Sequence, residues 1–360
     1  MRLEMTQTTA LAATNLPPAP MIAGAIPMID VAGHLAGDAE ASRKAATQLC
    51  WAFENVGFYY LVGHGVPQPL IHRTYEAAAR FHAQPMPKKL ALRVNEHNIG
   101  YLPISEAPAP QAAAQSKKPS QNEAYFVRRE RVPDDPDVIV NRRFHGLNQW
   151  PRDLLGFRET ALEYMRTLEA LCRRLVPLYA LALELPSDFF NECFVEPHMI
   201  LRMSHYPVID GEDETLTSLV PHTDSGFMTL LPPNPVPGLS VLLPSGRWID
   251  APGIDAAYVV NGGDILHRWT NERFLSTPHR VRNVSGQVRY AIPFFCDPNH
   301  DTVIECLPNC RSADNPPKYP PIRLGDYALW FARKSYEHMA EEPALPDAVI
   351  APGGRATARW

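Results

Sequence analysis

The sequence lacks any long hydrophobic run. No apolar stretch approaches the roughly 18 residues that a helix needs to cross a bilayer. The N-terminus, MRLEMTQTTALAATNLPPAP, carries Glu4 and several polar residues where a secretory signal requires an unbroken apolar segment. These absences predict a soluble protein that is not exported, with a flexible leader over residues 1–24.

The sequence also lacks paired cysteines. Its six cysteines form no CxxC motif and are scattered over the chain at Cys50, Cys172, Cys193, Cys296, Cys306 and Cys310. A disulfide framework or a structural zinc knuckle is therefore not predicted, and reduced thiols in a cytoplasmic protein fit the pattern.

Positive charge is scarce and dispersed. The formal net charge of the 360 residues is −5, and no run of basic residues occurs. Neither a nucleic acid nor a membrane is an expected partner. The remaining composition, 45% hydrophobic and 20% charged, is typical of a globular protein with a large core.

The spacing of apolar residues changes near Met199. Helices and short strands are predicted before it: strands at 25–33 and 58–67, and helices at 38–57, 69–85 and 154–186, the last with a kink at Pro177. Residues 102–121 are rich in Ala, Pro, Ser and Gln, which predicts a mobile surface loop.

After Met199, short strands separated by turns dominate. The predictions are hairpins at 239–252 and 278–295, a strand and turn at 256–271, and a final helix at 324–340. Closely spaced strands indicate a sandwich or a barrel. Because no linker separates the two halves, a single domain over 1–360 is predicted, with an N-terminal helix and strand region at 25–130 and a β core at 199–300.

A histidine and an aspartate stand two positions apart in PHTDSGFMTLL, residues 221–231. On an extended strand, His222 and Asp224 would point to the same face and could hold one ion. Two protein ligands rarely hold a labile divalent metal, so a third is needed.

The third candidate ligand is His279. It opens the segment HRVRN, in which Arg280 and Arg282 share one face and prefer water, so His279 is predicted to point inward. Two histidines and one carboxylate form the facial triad of non-haem Fe(II) oxygenases. The same set can bind zinc for hydrolysis, although the sequence identifies no acid or base to activate water.

Arg289 is predicted to lie buried near this metal. In an even hairpin register, His279 would lie opposite Ala291, and Arg289 opposite Val281. A buried arginine is costly unless it meets an anion. That anion would be either an internal carboxylate or a bound carboxylate ligand that also reaches the iron.

At this point the chain resembles the 2-oxoglutarate and Fe(II)-dependent oxygenases of the isopenicillin N synthase-like superfamily. The segments that carry the resemblance are IPMID, CWAFENVGFYYLVGHGVP, HTDSGFMTLL, GRWIDAP, VVNGGDILHRWTNERFLSTPHRV and RYAIPFFCDPN. The resemblance implies a mainly β fold with flanking helices (α+β), built on a double-stranded β-helix or jelly-roll core. It implies Fe(II) at His222, Asp224 and His279, with Arg289 and Tyr206 binding 2-oxoglutarate.

The chain departs from the family pattern at two places. Ser204 replaces the asparagine of an Asn-x-Tyr-Pro segment, and Ala291 replaces the serine of Arg-x-Ser. Losing the serine hydroxyl is expected to weaken 2-oxoglutarate binding about tenfold while Arg289 retains it.

The implied activity is oxidation of a small-molecule metabolite with O2, by hydroxylation or desaturation, releasing succinate and CO2. Three alternatives stay open: an oxidase or cyclase of the same fold that does not use 2-oxoglutarate, an inactive ligand-binding protein, and a zinc hydrolase. The candidate substrate contacts are aromatic: Phe227, Phe295, Phe126, Tyr101 and Phe331.

Overall fold

The computed structural model describes residues 21–22, 26–104, 120–208 and 218–339. The α-helices are α1 (Ala32–Leu35), α2 (Ala39–Asn55), α3 (Gln68–His82), α4 (Met86–Leu90), α5 (Pro136–Ile139), α6 (Phe157–Ala182), α7 (Asp264–Trp269) and α8 (Leu324–Ser335). Within these ranges, no helix combines the length and apolarity needed to cross a membrane.

The strands form two main sheets and one small one. They are β1 (Met21–Ile22), β2 (Ile26–Asp30), β3 (Phe58–Val62), β4 (Gly100–Leu102), β5 (Glu123–Arg128), β6 (His198–Tyr206), β7 (Leu219–His222), β8 (Met228–Leu231), β9 (Leu239–Leu242), β10 (Trp248–Asp250), β11 (Tyr258–Gly262), β12 (His279–Val281), β13 (Arg289–Ala291), β14 (Phe294–Asp297), β15 (Val303–Ile304) and β16 (Ile322–Arg323). The large sheet has the order β1-β2-β3-β11-β8-β14-β6-β5-β4, with β13 also paired to β6. The second sheet has the order β10-β9-β12-β7, and β15 pairs with β16.

The large sheet has two different faces because successive side chains along each strand point to opposite sides. In β6, Met199, Leu201 and Met203 enter the core that contains α2, α3 and α6. The intervening Arg202 and Ser204 therefore point to the other face. Burying each large apolar side chain contributes about 1.5–3 kcal/mol, so the hydrophobic set fixes which face meets the helices.

The second sheet covers that other face. Phe58 and Tyr60 of β3 pack in one buried cluster with Leu239 and Val241 of β9, which joins the two sheets. Two opposed sheets with helices outside the larger one form the predicted jelly roll with flanking helices. The fold class expected from the sequence is confirmed.

Several local predictions agree with the structure. The hairpin at 239–252 is β9 and β10, with Trp248 opposite Leu242, and the long helix is α6, which contains Pro177. Within the strand and turn predicted at 256–271, the strand is β11, and a short helix, α7, stands where the turn was predicted. In the predicted leader, β1 pairs with β2; residues 1–20 and 23–25, and residues 105–119 of the predicted loop, lie outside the described ranges.

The predicted hairpin at 278–295 is wrong. His279 in β12 lies opposite His222 of β7 and Val241 of β9 in the smaller sheet. Arg289 in β13 lies opposite Tyr206 of β6 in the large sheet. The intervening chain crosses from one sheet to the other, and Asn283 fixes the crossing by donating to the backbone carbonyls of residues 206, 207 and 287.

Candidate metal centre

The two predicted histidine ligands lie side by side in the smaller sheet. His222 ends β7, His279 begins β12, and the residues are directly opposite each other with ring centroids 4.3 Å apart. Asp224 follows in the turn after β7, with its Oδ1 3.9 Å from Nε2 of His222 and 3.7 Å from Nε2 of His279. One ligand atom from each residue therefore lies within 4.8 Å of the others.

Backbone carbonyls orient both imidazole rings. Nδ1 of His222 lies 2.9 Å from the carbonyl oxygen of Val220, and Nδ1 of His279 lies 3.2 Å from that of Thr277. A carbonyl only accepts, so each Nδ1 carries the proton and each Nε2 presents a lone pair. This arrangement fixes the tautomer in metal-bound histidines.

The Asp224 carboxylate is held through one oxygen. Its Oδ2 accepts hydrogen bonds from Thr229 Oγ1 at 2.7 Å and from Asn261 Nδ2 at 2.8 Å. Thr229 comes from β8 and Asn261 from β11, so two neighbouring strands of the large sheet position it. Its Oδ1 faces the histidines and remains for an ion.

The electrostatics of the cluster favour the protonation states that bind a metal, a neutral His222 and an ionised Asp224. Burial, and then the charges of His279 and Arg202, lower the pKa of His222 to about 4 despite the opposing effect of Asp224. Burial alone would raise the pKa of Asp224, but the two histidines and the donors Asn261 and Thr229 hold it below its usual range. His222 is thus neutral and Asp224 ionised near pH 7, as binding of a divalent metal requires.

A second group with metal-ligand spacing consists of His82, Glu123 and His205. Lys89 Nζ lies 3.0 and 2.8 Å from the two oxygens of Glu123, and the hydroxyl of Tyr101 also donates to that carboxylate. The positive charge of Lys89 already balances the carboxylate. This group is therefore a buried ion-pair network, and the triad is the better metal site of the two.

Arg289 is buried and incompletely paired. Its Nε donates to the carbonyl oxygen of Val236 at 3.2 Å, and its guanidinium lies 5.2 Å from the ring centre of Tyr206. Its Nη1 is buried and has no hydrogen-bond partner within the described residues. A buried guanidinium that lacks one acceptor is suited to bind a carboxylate ligand, which would supply that acceptor.

The predicted aromatic contacts separate into two groups. Phe295 lies opposite Thr229, and Phe126 opposite Arg202, so both occupy the sheet face that holds the triad. Tyr101 and Phe227 are fully buried in the core on the helix side, away from the face that holds the triad. Closeness in sequence to a loop or to the triad does not determine the face. Phe331 is half-buried in α8. The substrate roles of these three residues stay predictions.

Sequence reasoning missed three polar residues of the site. Thr229 and Asn261 hold Asp224, and Arg202 projects from β6 with Nη2 2.9 Å from Asn122 Oδ1. Arg202 stands between Leu201 and Met203 in a mainly apolar strand. The alternation of side chains along this strand could have shown that Arg202 points to the face opposite these two residues. Without strand pairing, no signal showed that Thr229 and Asn261 meet Asp224.

A jelly roll that holds two histidines and one carboxylate with positions left for other ligands is the arrangement of non-haem iron oxygenases. The sequence model described as the non-haem dioxygenase N-terminal region in morphine synthesis matches residues 26–153, and that of the 2OG-Fe(II) oxygenase superfamily matches residues 197–298. The chain belongs to the 2OG-Fe(II) oxygenase superfamily.

Individual relatives agree with this membership. The 2-oxoglutarate-Fe(II) type oxidoreductase hxnY of Emericella nidulans is 38% identical over 86% of this chain and 90% of its own. A full-length Neurospora crassa protein, solved in complex with alpha-KG and thymine, is 30% identical with a TM-score of 0.75, covering 86% of this chain and 96% of its own. JOX2, solved with 2OG, Fe and JA, is 26% identical with a TM-score of 0.70, covering 93% and 96%.

The expected activity follows from these findings. The protein is an Fe(II)- and 2-oxoglutarate-dependent oxygenase that acts on small molecules. The comparisons favour this activity over the 2-oxoglutarate-independent oxidase that Ala291 had left open.

Proposed function

We propose that His222, Asp224 and His279 bind the Fe(II), and that Arg289 and Tyr206 bind the distal carboxylate of 2-oxoglutarate. The observation that carries this proposal is the convergence of one free ligand atom from each triad residue, each with its other polar atom bonded to protein. When bound, iron and 2-oxoglutarate supply the oxidation of a substrate C–H bond by O2, with release of succinate and CO2. Arg289 contributes a charge that neutralises the co-substrate and sets its orientation.

The substrate is proposed to be a compact, planar molecule that carries a carbonyl or carboxylate oxygen. Arg202 lies on the same sheet face as Phe295, and its charge reaches His222. Its guanidinium lies 5.6 Å from the ring centre of Phe126, and its buried Nε has no hydrogen-bond partner within the described residues. An arginine with an open donor beside aromatic rings suits a flat group with an acceptor oxygen.

Comparison with the Neurospora crassa relative supports this substrate class. Thymine, present in that structure, is a flat ring with two carbonyl oxygens. Phe126, Phe295 and Arg202 are proposed to orient such a ring so that one C–H bond faces the metal. Their apolar surface would also exclude water from the reacting group.

The test combines metal binding with turnover. His222→Ala should abolish both tight Fe(II) binding, measured anaerobically by calorimetry, and substrate-stimulated decarboxylation of 2-oxoglutarate in a screen of flat carbonyl and carboxylate compounds. His72→Ala, at an exposed position on α3, is the matched control and should retain both. Full metal binding by His222→Ala would contradict the ligand assignment, and stimulation only by non-planar or oxygen-free compounds would contradict the substrate class.

The cellular setting proposed is the cytoplasm, with neither a nucleic acid nor a membrane as partner. All six cysteines are free thiols in the structure, and the net charge is −5. These features support a reducing compartment and a small-molecule partner.

A single catalytic unit is also proposed, since β2 and β3 from the N-terminal region share one sheet with β6, β8 and β14.

A further inference from the structure

Ser204 is a buried serine whose hydroxyl has no partner among the described residues. The residue is fully enclosed, and its Oγ makes no hydrogen bond within the described residues. Buried hydroxyls in proteins are normally paired, because an unpaired one forfeits its hydration without replacement. An exception of this kind calls for a ligand or another physical explanation.

The neighbours of Ser204 place that hydroxyl beside the proposed carboxylate site. Ser204 lies directly opposite Ala291 of β13 on one side and Ala124 of β5 on the other. Opposed residues have Cβ atoms about 4.5–5.5 Å apart on the same face. Both flanking side chains are methyl groups, so neither can accept or donate a hydrogen bond to Ser204.

The next cross-strand pair on the same face is Tyr206 with Arg289. Arg289 Nη1 is also buried without a partner among the residues that the structure describes. Two buried donor atoms without partners among the described residues, the Ser204 hydroxyl and Arg289 Nη1, therefore belong to consecutive same-face pairs of β6 and β13. A carboxylate accepts several hydrogen bonds at once and could satisfy both donors.

We propose that Ser204 donates a hydrogen bond to the distal carboxylate of 2-oxoglutarate, together with Arg289. This inference rests on the proposed function, because it assigns a further residue to the same co-substrate site. Ala291 and Ser204 are the two departures from the family pattern, and they face each other across β13 and β6. The hydroxyl missing at position 291 is replaced by one on the facing strand, so the expected weakening of 2-oxoglutarate binding does not occur.

The experiment measures binding of two 2-oxo acids to Mn(II)-loaded full-length protein by calorimetry. 2-Oxoglutarate carries the distal carboxylate, whereas 2-oxobutyrate has the same metal-chelating end without it. Ser204→Ala should raise the Kd of 2-oxoglutarate about tenfold, the equivalent of one hydrogen bond to a charged group, and leave the Kd of 2-oxobutyrate unchanged. Ser240→Ala is the matched control, since the hydroxyl of Ser240 is bonded to Asp250 on β10, and should alter neither Kd.

A second substitution tests whether a hydroxyl at position 291 can replace the hydroxyl of Ser204. Ala291→Ser should restore 2-oxoglutarate affinity in the Ser204→Ala background and have a much smaller effect in the wild-type chain. Equal effects of Ala291→Ser in both backgrounds would overturn the inference, as would an unchanged Kd of Ser204→Ala or equal weakening of both acids. Because the unpaired hydroxyl is removed, Ser204→Ala is also expected to keep the thermal stability of the ligand-free protein.

The same data separate this inference from the proposed function. If the wild-type protein binds 2-oxoglutarate no more tightly than 2-oxobutyrate, the proposed carboxylate site itself is wrong. If the wild-type protein discriminates between the two acids and Ser204→Ala discriminates equally well, only the role of Ser204 is wrong.

Discussion

Replacing Arg289 with methionine should separate co-substrate binding from folding. Arg289 is 2% exposed, and its guanidinium donates one hydrogen bond to the Val236 carbonyl. Methionine has a similar length and no charge, so it fills the space without requiring an anion. The same change therefore removes a ligand contact and an incompletely paired buried charge.

The expected loss of affinity follows from the lost contacts. A hydrogen bond to a charged partner contributes about 1.5–3 kcal/mol, so a two-bond pair with a carboxylate contributes at least about 3 kcal/mol. This loss corresponds to an increase of roughly a hundredfold in the Kd of 2-oxoglutarate.

The stability of the ligand-free protein should change little. Replacing buried ionic groups with well-packed apolar side chains of similar volume is often neutral or stabilising by about 1–4 kcal/mol, and we expect a gain in this range for Arg289→Met. The lost bond to Val236 and the lost contact of Arg289 with the Tyr206 ring oppose this gain by about 2–3 kcal/mol. The two effects nearly cancel, so we expect a shift of about 1 kcal/mol or less in the free energy of unfolding.

The assay is urea unfolding of Mn(II)-loaded protein with and without 2-oxoglutarate, beside calorimetric titration. At a concentration of about 100 times the wild-type Kd, the ligand should stabilise the wild type by about 2.7 kcal/mol and the variant by about 0.4 kcal/mol. Arg247→Met, in the exposed turn between β9 and β10, removes the same charge and should respond like the wild type. A loss of about 3 kcal/mol or more in the ligand-free variant, or a Kd that rises only a few-fold, would refute the reasoning.

Two further predictions concern buried polar residues outside the triad, Asn261 beside Asp224 and Glu123 in the ion-pair network with Lys89. Asn261→Ala removes one of the two donors to Oδ2 of Asp224, so Fe(II) affinity measured by anaerobic titration should fall about 10–100-fold, and an unchanged affinity would contradict the positioning role. Glu123→Gln leaves Lys89 buried without its counter-charge, so urea unfolding at pH 7 should show a loss of about 3–5 kcal/mol. Hydrogen bonds from His205, His82 and Lys89 outweigh burial and hold the pKa of Glu123 well below its usual range. Its contribution is complete above the unfolded-state pKa of about 4.3, so the difference between the two proteins should narrow as pH falls below about 4, and a difference that widens would count against the ion pair.

The local pattern of the sequence predicted a strand-rich core and the candidate metal ligands, and the family resemblance added the jelly-roll topology. Closely spaced strands after Met199 predicted a sandwich or a barrel, and the His-x-Asp spacing with the inward His279 predicted a single metal site. These features depend on side-chain direction along one strand, which has a period of two residues whatever the strand pairs with. Arg289 is buried as predicted, although the hairpin register from which its position was predicted is wrong.

The pairing of strands was not predictable from local pattern. The segment containing His279 and Arg289 has the pattern of a hairpin, yet its two strands belong to opposite sheets. An alternating strand presents the same apolar face to any partner, so its neighbour is selected by packing of the whole core rather than by its own residues. Local pattern also could not show that Tyr101 faces the helices.

The sequence by itself identified the candidate iron ligands, because metal binding depends on residue type and on short spacing along a strand, and its resemblance to a known family identified the candidate keto-acid contacts. Only the tertiary structure decided that His222 pairs with His279, that Thr229 and Asn261 hold Asp224, and that Ser204 faces Ala291. Each of these contacts joins strands distant in the chain, and their register is set by the hydrophobic burial of both sheets together.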